Sequence, residues 1–356
     1  MSAAEPALNV IQEGERIMRI CNSCRYCEGY CAVFPAMEMR RTFAEGDLNY
    51  LANLCHNCGE CYYACQYAPP HEFAVNVPKL LAELRGRSYQ RYAWPSLLAG
   101  IFRVNGIAVV VALLVSVLLW STLASPLPAA GFYDVIPHRA MVEAFGGISI
   151  FVLLVFMIGV ARFWRGTGGR PIKFHALIRG LKDALTLRYL DGGGGGCAYP
   201  NETQSQSRRW FHHATFYGFT LCFASTVTAA FYHYALRLQA PYGYLSAPVI
   251  LGTCGGIALT AGTIGLLWLR SIRKPETQAA GQTAMDIAFL ILLCLAGVTG
   301  LLLLVLRQTP LMRALLISHL GIVLALFFTL PYGKFVHGVY RSAALVKYAL
   351  ESREPH

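Results

Sequence analysis

Six long runs of apolar residues dominate the chain after residue 100. Each run has about the 20 residues that a helix needs to cross a bilayer. They lie near 104–123, 141–161, 212–236, 245–269, 285–306 and 311–336. Only a short turn at 307–310 separates the last two, which predicts a tight helical hairpin. The pattern therefore predicts a six-helix transmembrane bundle.

The first 92 residues have a different pattern, with short apolar segments at helical spacing. One helix is predicted around 37–54 and another over 78–91, where Leu80, Leu81 and Leu84 share a face. The first 20 residues have no long apolar core, which argues against a secretory signal. We therefore predict an all-α protein, with a helical ferredoxin-like two-cluster domain at 1–92 and a membrane domain at 93–356.

Composition and charge agree with a membrane protein. Only 14% of the residues are charged, and the mean hydropathy is +0.45. The loop at 162–209 contains nine Lys and Arg residues, whereas the loops on the opposite side contain few. By the positive-inside rule, both termini and the first domain are expected in the cytoplasm. This bias explains the net charge of +11 without a nucleic-acid partner.

Eight of the twelve cysteines form two runs with the same spacing, Cys-x-x-Cys-x-x-Cys-x-x-x-Cys. In two-cluster ferredoxins, the first three cysteines of such a run bind one iron–sulfur cube, and the fourth binds the other cube. We therefore predict one [4Fe–4S] cluster on Cys21, Cys24, Cys27 and Cys65, and another on Cys55, Cys58, Cys61 and Cys31.

Zinc and disulfides are the alternatives for these cysteines. Structural zinc sites usually pair two short Cys-x-x-Cys turns, and disulfides need an oxidising compartment. The bacterial ferredoxin run ends in Cys-Pro, but here the prolines come four residues later, at Pro35 and Pro69. The helix predicted between the two runs suits a helical ferredoxin domain, and this departure weakens the case for a small β-rich one. Among the other cysteines, those in the spans (Cys222, Cys254 and Cys294) are expected to be buried, and Cys197 is expected to be exposed.

Four histidines lie at or near the ends of two predicted spans. His212 and His233 bracket the third span, and His319 and His337, 18 residues apart, lie on the sixth. Because 18 residues make five turns at about 3.6 residues per turn, the second pair is expected on one face. The spans run in opposite directions, which predicts His212 with His337 and His233 with His319. Two imidazoles at each of two depths suit two stacked b-type haems.

Structural roles remain open for these histidines, because histidine is common at the membrane interface. His138 could also replace His233 or His319 as a ligand. The remaining histidines that bear on the sites, His56, His71 and His175, are expected to be ordinary surface or domain residues.

The predicted cytoplasmic loop contains a basic amphipathic segment at 172–189, which predicts an interfacial helix. Five glycines follow, at 192–196. They lack the Gly-Lys-Ser/Thr ending of a phosphate-binding loop. They are therefore expected to form a flexible linker or, alternatively, a docking loop held against a cluster or a partner.

The whole pattern resembles the CitB/TcuB family of tricarballylate-utilisation proteins. The likeness rests on the cysteine runs, the six spans, and the stretch from Leu190-Asp191-Gly192 through Cys197 to Arg208-Arg209-Trp210-Phe211-His212-His213. The resemblance implies a bacterial inner-membrane protein that uses [4Fe–4S] clusters and haem. It also implies that the partner is a separate FAD-dependent tricarballylate dehydrogenase, whose reduced flavin this chain reoxidises.

The predicted function is electron transfer from that flavoprotein, through two [4Fe–4S] clusters and b-type haem, to quinone in the membrane. No catalytic residue is predicted, because the partner would oxidise the substrate. One alternative keeps the conduit but gives the partner another substrate. The second alternative is a haem-free redox sensor or anchor that bears clusters.

Overall fold

The computed structural model describes residues 5–126, 131–198 and 203–352, and these are mostly helical with almost no strand. The predicted all-α class is confirmed. The helices of the described residues are α1 (Glu5–Cys24), α2 (Val33–Glu38), α3 (Glu45–Leu54), α4 (Glu60–Tyr63), α5 (Val77–Tyr92), α6 (Asn105–Leu123), α7 (Phe132–Val135), α8 (His138–Gly166), α9 (Phe174–Leu185), α10 (Ser207–Tyr234), α11 (Ala247–Ser271), α12 (Thr283–Leu306), α13 (Met312–Thr329) and α14 (Val336–Glu351). Two short strands, β1 (Cys197–Ala198) and β2 (Gln204–Ser205), form an antiparallel pair.

Helices α1 to α5 form the cysteine-bearing domain around a shared apolar core. Leu48 and Leu51 of α3 are fully buried in this core, together with Leu81 and Leu84 of α5. Helix α5 begins where the Asn76 side chain accepts a hydrogen bond from the Lys79 amide, and a proline occupies its first turn. Both features favour helix initiation. The apolar spacing seen in the sequence thus places the faces of α3 and α5 against each other.

Six helices of the described residues are long and apolar enough to cross a membrane: α6, α8, α10, α11, α12 with the turn before it, and α13. The prediction of a multi-pass membrane protein is therefore confirmed by the length and composition of these helices. Helix α10 packs on α11, α11 on α12, α12 on α13, and α13 on α6. Glycines allow the α10–α11 contact, since a Cβ at Gly218 would meet the Leu259 backbone of α11.

The sixth span is shorter than predicted. Helix α13 ends at Thr329, a 3-10 turn covers Leu330–Tyr332, and the separate helix α14 begins at Val336. Pro331 has no amide hydrogen to donate, and Gly333 takes an extended conformation that no helix contains. His319 and His337 therefore lie on different helices, and the prediction that five helical turns align them on one face is wrong.

Helix α14 connects the bundle to the cysteine-bearing domain. Its Arg341 guanidinium donates hydrogen bonds to the carbonyls of Leu54 (2.8 Å) and Cys55. On its other side α14 packs against α9, where a Cβ at Gly180 would lie 2.6 Å from the Val346 backbone nitrogen. Arg341 of α14 thus holds the start of the second cysteine run against the bundle.

Candidate metal centres

Two cavities in the first domain are lined by cysteines of both runs. Cys21, Cys24, Cys27 and Cys65 surround a cavity of about 230 Å³. Cys31, Cys55, Cys58 and Cys61 surround a smaller one. Each cavity thus draws three cysteines from one run and the fourth from the other, and Cys61 also lines the first cavity. Within the described residues, no three His, Cys, Asp or Glu side chains are grouped closely enough to hold a single metal ion.

The turns between the cysteines depend on left-handed backbone conformations. Arg25 in the first run and Asn57 in the second have φ values of 57° and 54°, and Gly59 has a φ of 88°. The turn at Asn57 directs its backbone amide to the Cys55 sulfur, at 3.2 Å. An amide donor to a ligand sulfur is a feature that tunes iron–sulfur sites. The residues present therefore fit a cluster at each cavity.

Burial keeps four of these cysteines protonated in the absence of metal. It raises the pKa of Cys21 and of Cys27 to about 12, and the neighbouring thiols add to the effect. Burial also raises the pKa of Cys31 and of Cys61 well above the ordinary value. Because thiolates are the ligands, metal binding must displace these protons. A bound iron core would supply the positive charge that such closely spaced thiolates need.

A third cavity, of about 460 Å³, lies between the first domain and the bundle. His212 of α10 and His337 of α14 both line it, and their ring centres are 6.1 Å apart with the planes at 78°. An iron atom about 2 Å from a nitrogen of each ring would place the ring centres roughly 6 Å apart. Much of the remaining wall is apolar and includes Phe216, Phe219, Leu266, Leu269, Leu290 and Leu293.

The surroundings of these two histidines suit metal ligands. The Nδ1 of His337 donates to the Lys334 carbonyl at 2.6 Å, which leaves Nε2 without a proton. Burial, with the charge of Lys334, lowers the pKa of His337, so its imidazole is neutral. The Nδ1 of His212 is buried without a hydrogen-bond partner. This pair fits a bis-histidine haem.

The structure does not bring His233 and His319 together. The His233 ring stacks on His138, with ring centres 3.9 Å apart, which leaves no room for iron between them. The Nδ1 of His319 contacts the Thr299 hydroxyl at 3.0 Å. His233 is one residue from the end of α10, whereas His319 is seven residues inside α13. In this structure, His138 lies beside His233, and Thr299 lies beside His319.

His56 has a larger role in the site than its sequence position suggested. It lines both the second and the third cavity, as do its neighbours Asn57 and Cys58. Arg208, one turn before His212, donates to the carbonyls of Asn57 (2.6 Å) and His56 (2.9 Å). Burial and the nearby Arg341 charge lower the pKa of His56. Its position directly after Cys55 was the one sequence signal for this role.

The glycine segment packs on the cysteine-bearing domain. A Cβ at Gly193 would lie 2.9 Å from the Gly29 carbonyl, and the φ of Gly193 is +83°. The buried Glu60 carboxylate accepts hydrogen bonds from the Ala198 amide (2.7 Å) and the Gln204 side chain (3.1 Å). The segment is therefore a docked loop, as in the second of the two predictions for it.

The other cysteines differ from expectation. Cys197, predicted to be exposed, is only 1% exposed because the docked loop places it against Cys58 and Leu190. The interaction between the neighbouring Cys58 and Cys197 thiols raises the pKa of Cys58 and lowers that of Cys197. Of the cysteines in the spans, Cys222 and Cys294 are half-buried and Cys254 is exposed, because they lie partly or wholly on outward helix faces.

Comparison with known proteins gives matches over nearly the whole chain. Residues 14–91 match the family model described as the Citrate utilization protein B Fer4-like domain, and residues 93–356 match the model described as Citrate utilization protein B. The chain is 50% identical to Citrate utilization protein B of Escherichia coli over 353 residues, which cover 96% of this chain and 92% of that protein. No solved structure matches the chain.

Proposed function

Because the chain belongs to the Citrate utilization protein B family, we propose that it is a membrane electron carrier that reoxidises a partner flavoprotein and reduces membrane quinone. The partner is an FAD-dependent dehydrogenase of the tricarballylate type. Residues 1–92 form the cytoplasmic cluster domain and residues 93–356 form the membrane domain. The location is the bacterial inner membrane, with both termini in the cytoplasm.

One observation supports this proposal above the others: the three cavities form a continuous series. Cys61 lines the first and the second, and His56, Asn57 and Cys58 line the second and the third. The series begins at the partly exposed Cys24 and ends between α10 and α14. Such a series suits stepwise electron transfer.

The residues have separate roles in this proposal. The eight cysteines of the two runs hold two [4Fe–4S] clusters, and His212 with His337 holds a b-type haem. When bound, these groups supply one-electron redox centres. Arg208 and Arg341 fix the second cysteine run against the bundle through its backbone carbonyls. His233 and His319 do not fit a second haem as they stand, and we assign no step to that site.

The proposal is tested by the metal content and optical spectrum of the purified protein. We expect about eight iron and eight labile sulfide per chain, from two four-iron clusters, together with the spectrum of a reduced b-type haem. A colourless protein, or one with zinc in place of iron, would overturn the proposal. Clusters without haem would instead support a sensor or anchor.

The partner's substrate needs a separate test. We expect a membrane preparation containing this chain to couple quinone reduction to tricarballylate oxidation when the partner flavoprotein is added. Coupling to a citrate-related or succinate-like acid instead would keep the conduit and replace the substrate. The matched control is the same preparation with Cys65→Ser, which we expect to lose one cluster and the coupling.

A further inference from the structure

The wall of the third cavity carries more positive than negative charge. Six cationic side chains line it: Arg85, Arg208, Arg270, Arg273, Lys334 and Arg341. Among the described residues of this wall, Asp286 is the one acidic side chain, and it pairs with Arg270 at 2.8 Å and with Lys334 at 2.7 Å. The guanidinium groups of Arg85, Arg208 and Arg341 hydrogen-bond, among the described residues, to neutral backbone carbonyls. Because buried charges are normally paired, this cavity is suited to an anionic ligand.

Two of these arginines, Arg85 and Arg270, have a buried donor that is not used. The Nε of each has no hydrogen-bond partner among the described residues. Arg85 is only 5% exposed, and one of its terminal nitrogens is fixed on the Cys55 carbonyl at 2.6 Å. Arg270 uses both terminal nitrogens, on Asp286 and on the Thr283 hydroxyl. A buried donor of a charged group is costly to leave unpaired, so an acceptor is expected beside each Nε.

Both arginines lie beside the start of α12. Arg270 of α11 donates to Thr283, the first residue of α12. Arg85 is on α5, and one turn before it the Ala82 carbonyl accepts a hydrogen bond from Gln282, the residue that precedes α12. Both arginines line the third cavity, and neither is among the described residues that line the second. We therefore expect their acceptors inside the third cavity rather than on the second cluster.

We propose that Arg85 and Arg270 bind the two propionate carboxylates of the haem held by His212 and His337. This inference rests on the proposed function. A b-type haem carries two carboxylates on one edge, and guanidinium is the side-chain group that best matches a carboxylate. The apolar part of the wall is left for the rest of the porphyrin. Because Arg85 belongs to the cysteine-bearing domain and Arg270 to the bundle, haem binding also strengthens the contact between these two parts of the chain.

The test compares haem with its dimethyl ester, which keeps the iron and the porphyrin but has no negative charge at the propionate edge. Full-length protein from cells that cannot make haem is titrated with each, and binding is followed by the optical spectrum. We expect the unchanged protein to bind haem roughly 10- to 100-fold more tightly than the ester, the range for losing a hydrogen bond to a charged group. Arg85→Ala and Arg270→Gln should each reduce this preference. Arg91→Ala is the matched control, because Arg91 is also on α5 but is 54% exposed and pairs with Glu45; its preference should be unchanged.

The ratio of the two affinities separates carboxylate binding from general damage, because a distorted cavity weakens the binding of haem and ester alike. A preference that neither variant reduces would overturn the inference. If Arg85→Ala does not assemble, Arg270→Gln and the unchanged protein decide. An unchanged protein that binds neither haem nor ester overturns the haem site of the proposed function and this inference together, whereas equal binding of haem and ester overturns only the assignment to the two arginines.

Discussion

Two adjacent histidines on α10 provide a sharp test of the third cavity. His212 lines the cavity with its ring 6.1 Å from that of His337, whereas His213 points elsewhere and contacts the Thr186 carbonyl at 3.2 Å. The two substitutions, His212→Ala and His213→Ala, remove the same atoms from neighbouring positions. We expect only the first to remove the haem.

The size of each effect follows from these contacts. His213→Ala loses one partly exposed hydrogen bond, which contributes about 0.5–1.5 kcal/mol to stability, and a ring contact with Tyr217. It leaves the cavity wall unchanged. His212→Ala loses an axial ligand. Loss of a residue that merely orients a ligand lowers metal affinity about 10–100-fold, so loss of the ligand itself should exceed roughly 100-fold. A protein purified through several washes should then carry almost no haem.

The assay is the haem content per iron in both variants after identical purification, with the reduced optical spectrum as a second measurement. The clusters serve as an internal standard, because they lie on other residues. Equal haem content in the two variants would refute the bis-histidine assignment. Loss of both haem and iron in His212→Ala would indicate general misfolding, and His337→Ala would then provide the same test from α14.

Three other predictions concern packing and cluster assembly. Gly218→Ala places a methyl group against the backbone of α11, 2.8 Å from the Leu259 Cα, and should destabilise the protein by about 1–3 kcal/mol. Gly146 has open space around it, so Gly146→Ala is the control and should leave stability unchanged. Thermal unfolding in detergent measures both. Arg341→Ala removes two charge-assisted hydrogen bonds of about 1.5–3 kcal/mol each and should lower the unfolding temperature more than Arg341→Lys, whose single ammonium group can retain part of them. Cys31→Ser should leave about four non-haem iron per chain, and the remaining electron paramagnetic resonance signal should differ from the one that Cys65→Ser leaves. Identical remaining signals would contradict the exchange of the fourth cysteines.

The sequence predicted those features that depend on local periodicity and spacing. The six spans are visible because a bilayer requires long apolar runs, and the structure places helices at all six. The exchange of Cys31 and Cys65 between the runs follows from a spacing rule, and both residues line the cavities expected of them. In each case, the information lies within one segment of the chain.

Features that depend on distant contacts could not be predicted in the same way. The break before His337 had a local signal in Pro331 and Gly333, but an apolar run of normal length concealed it. The burial of Cys197 depends on Glu60, which is 138 residues away from the Ala198 amide that it binds. The place of His56 between two cavities depends on α10 and α14. No periodicity within a single segment encodes such contacts.

The hydrogen bonds from Arg208 and Arg341 to the backbone carbonyls between Leu54 and Asn57 bear on the turnover rate expected for the protein. Some electron carriers shuttle a mobile head between donor and acceptor, and their turnover slows in viscous solvent. In this chain, hydrogen bonds from two different helices hold the cysteine-bearing domain against the bundle. Under the proposed function, electron transfer therefore needs no swinging domain. The rate of quinone reduction should then be insensitive to added glycerol, as long as the reduced partner flavoprotein is supplied in excess.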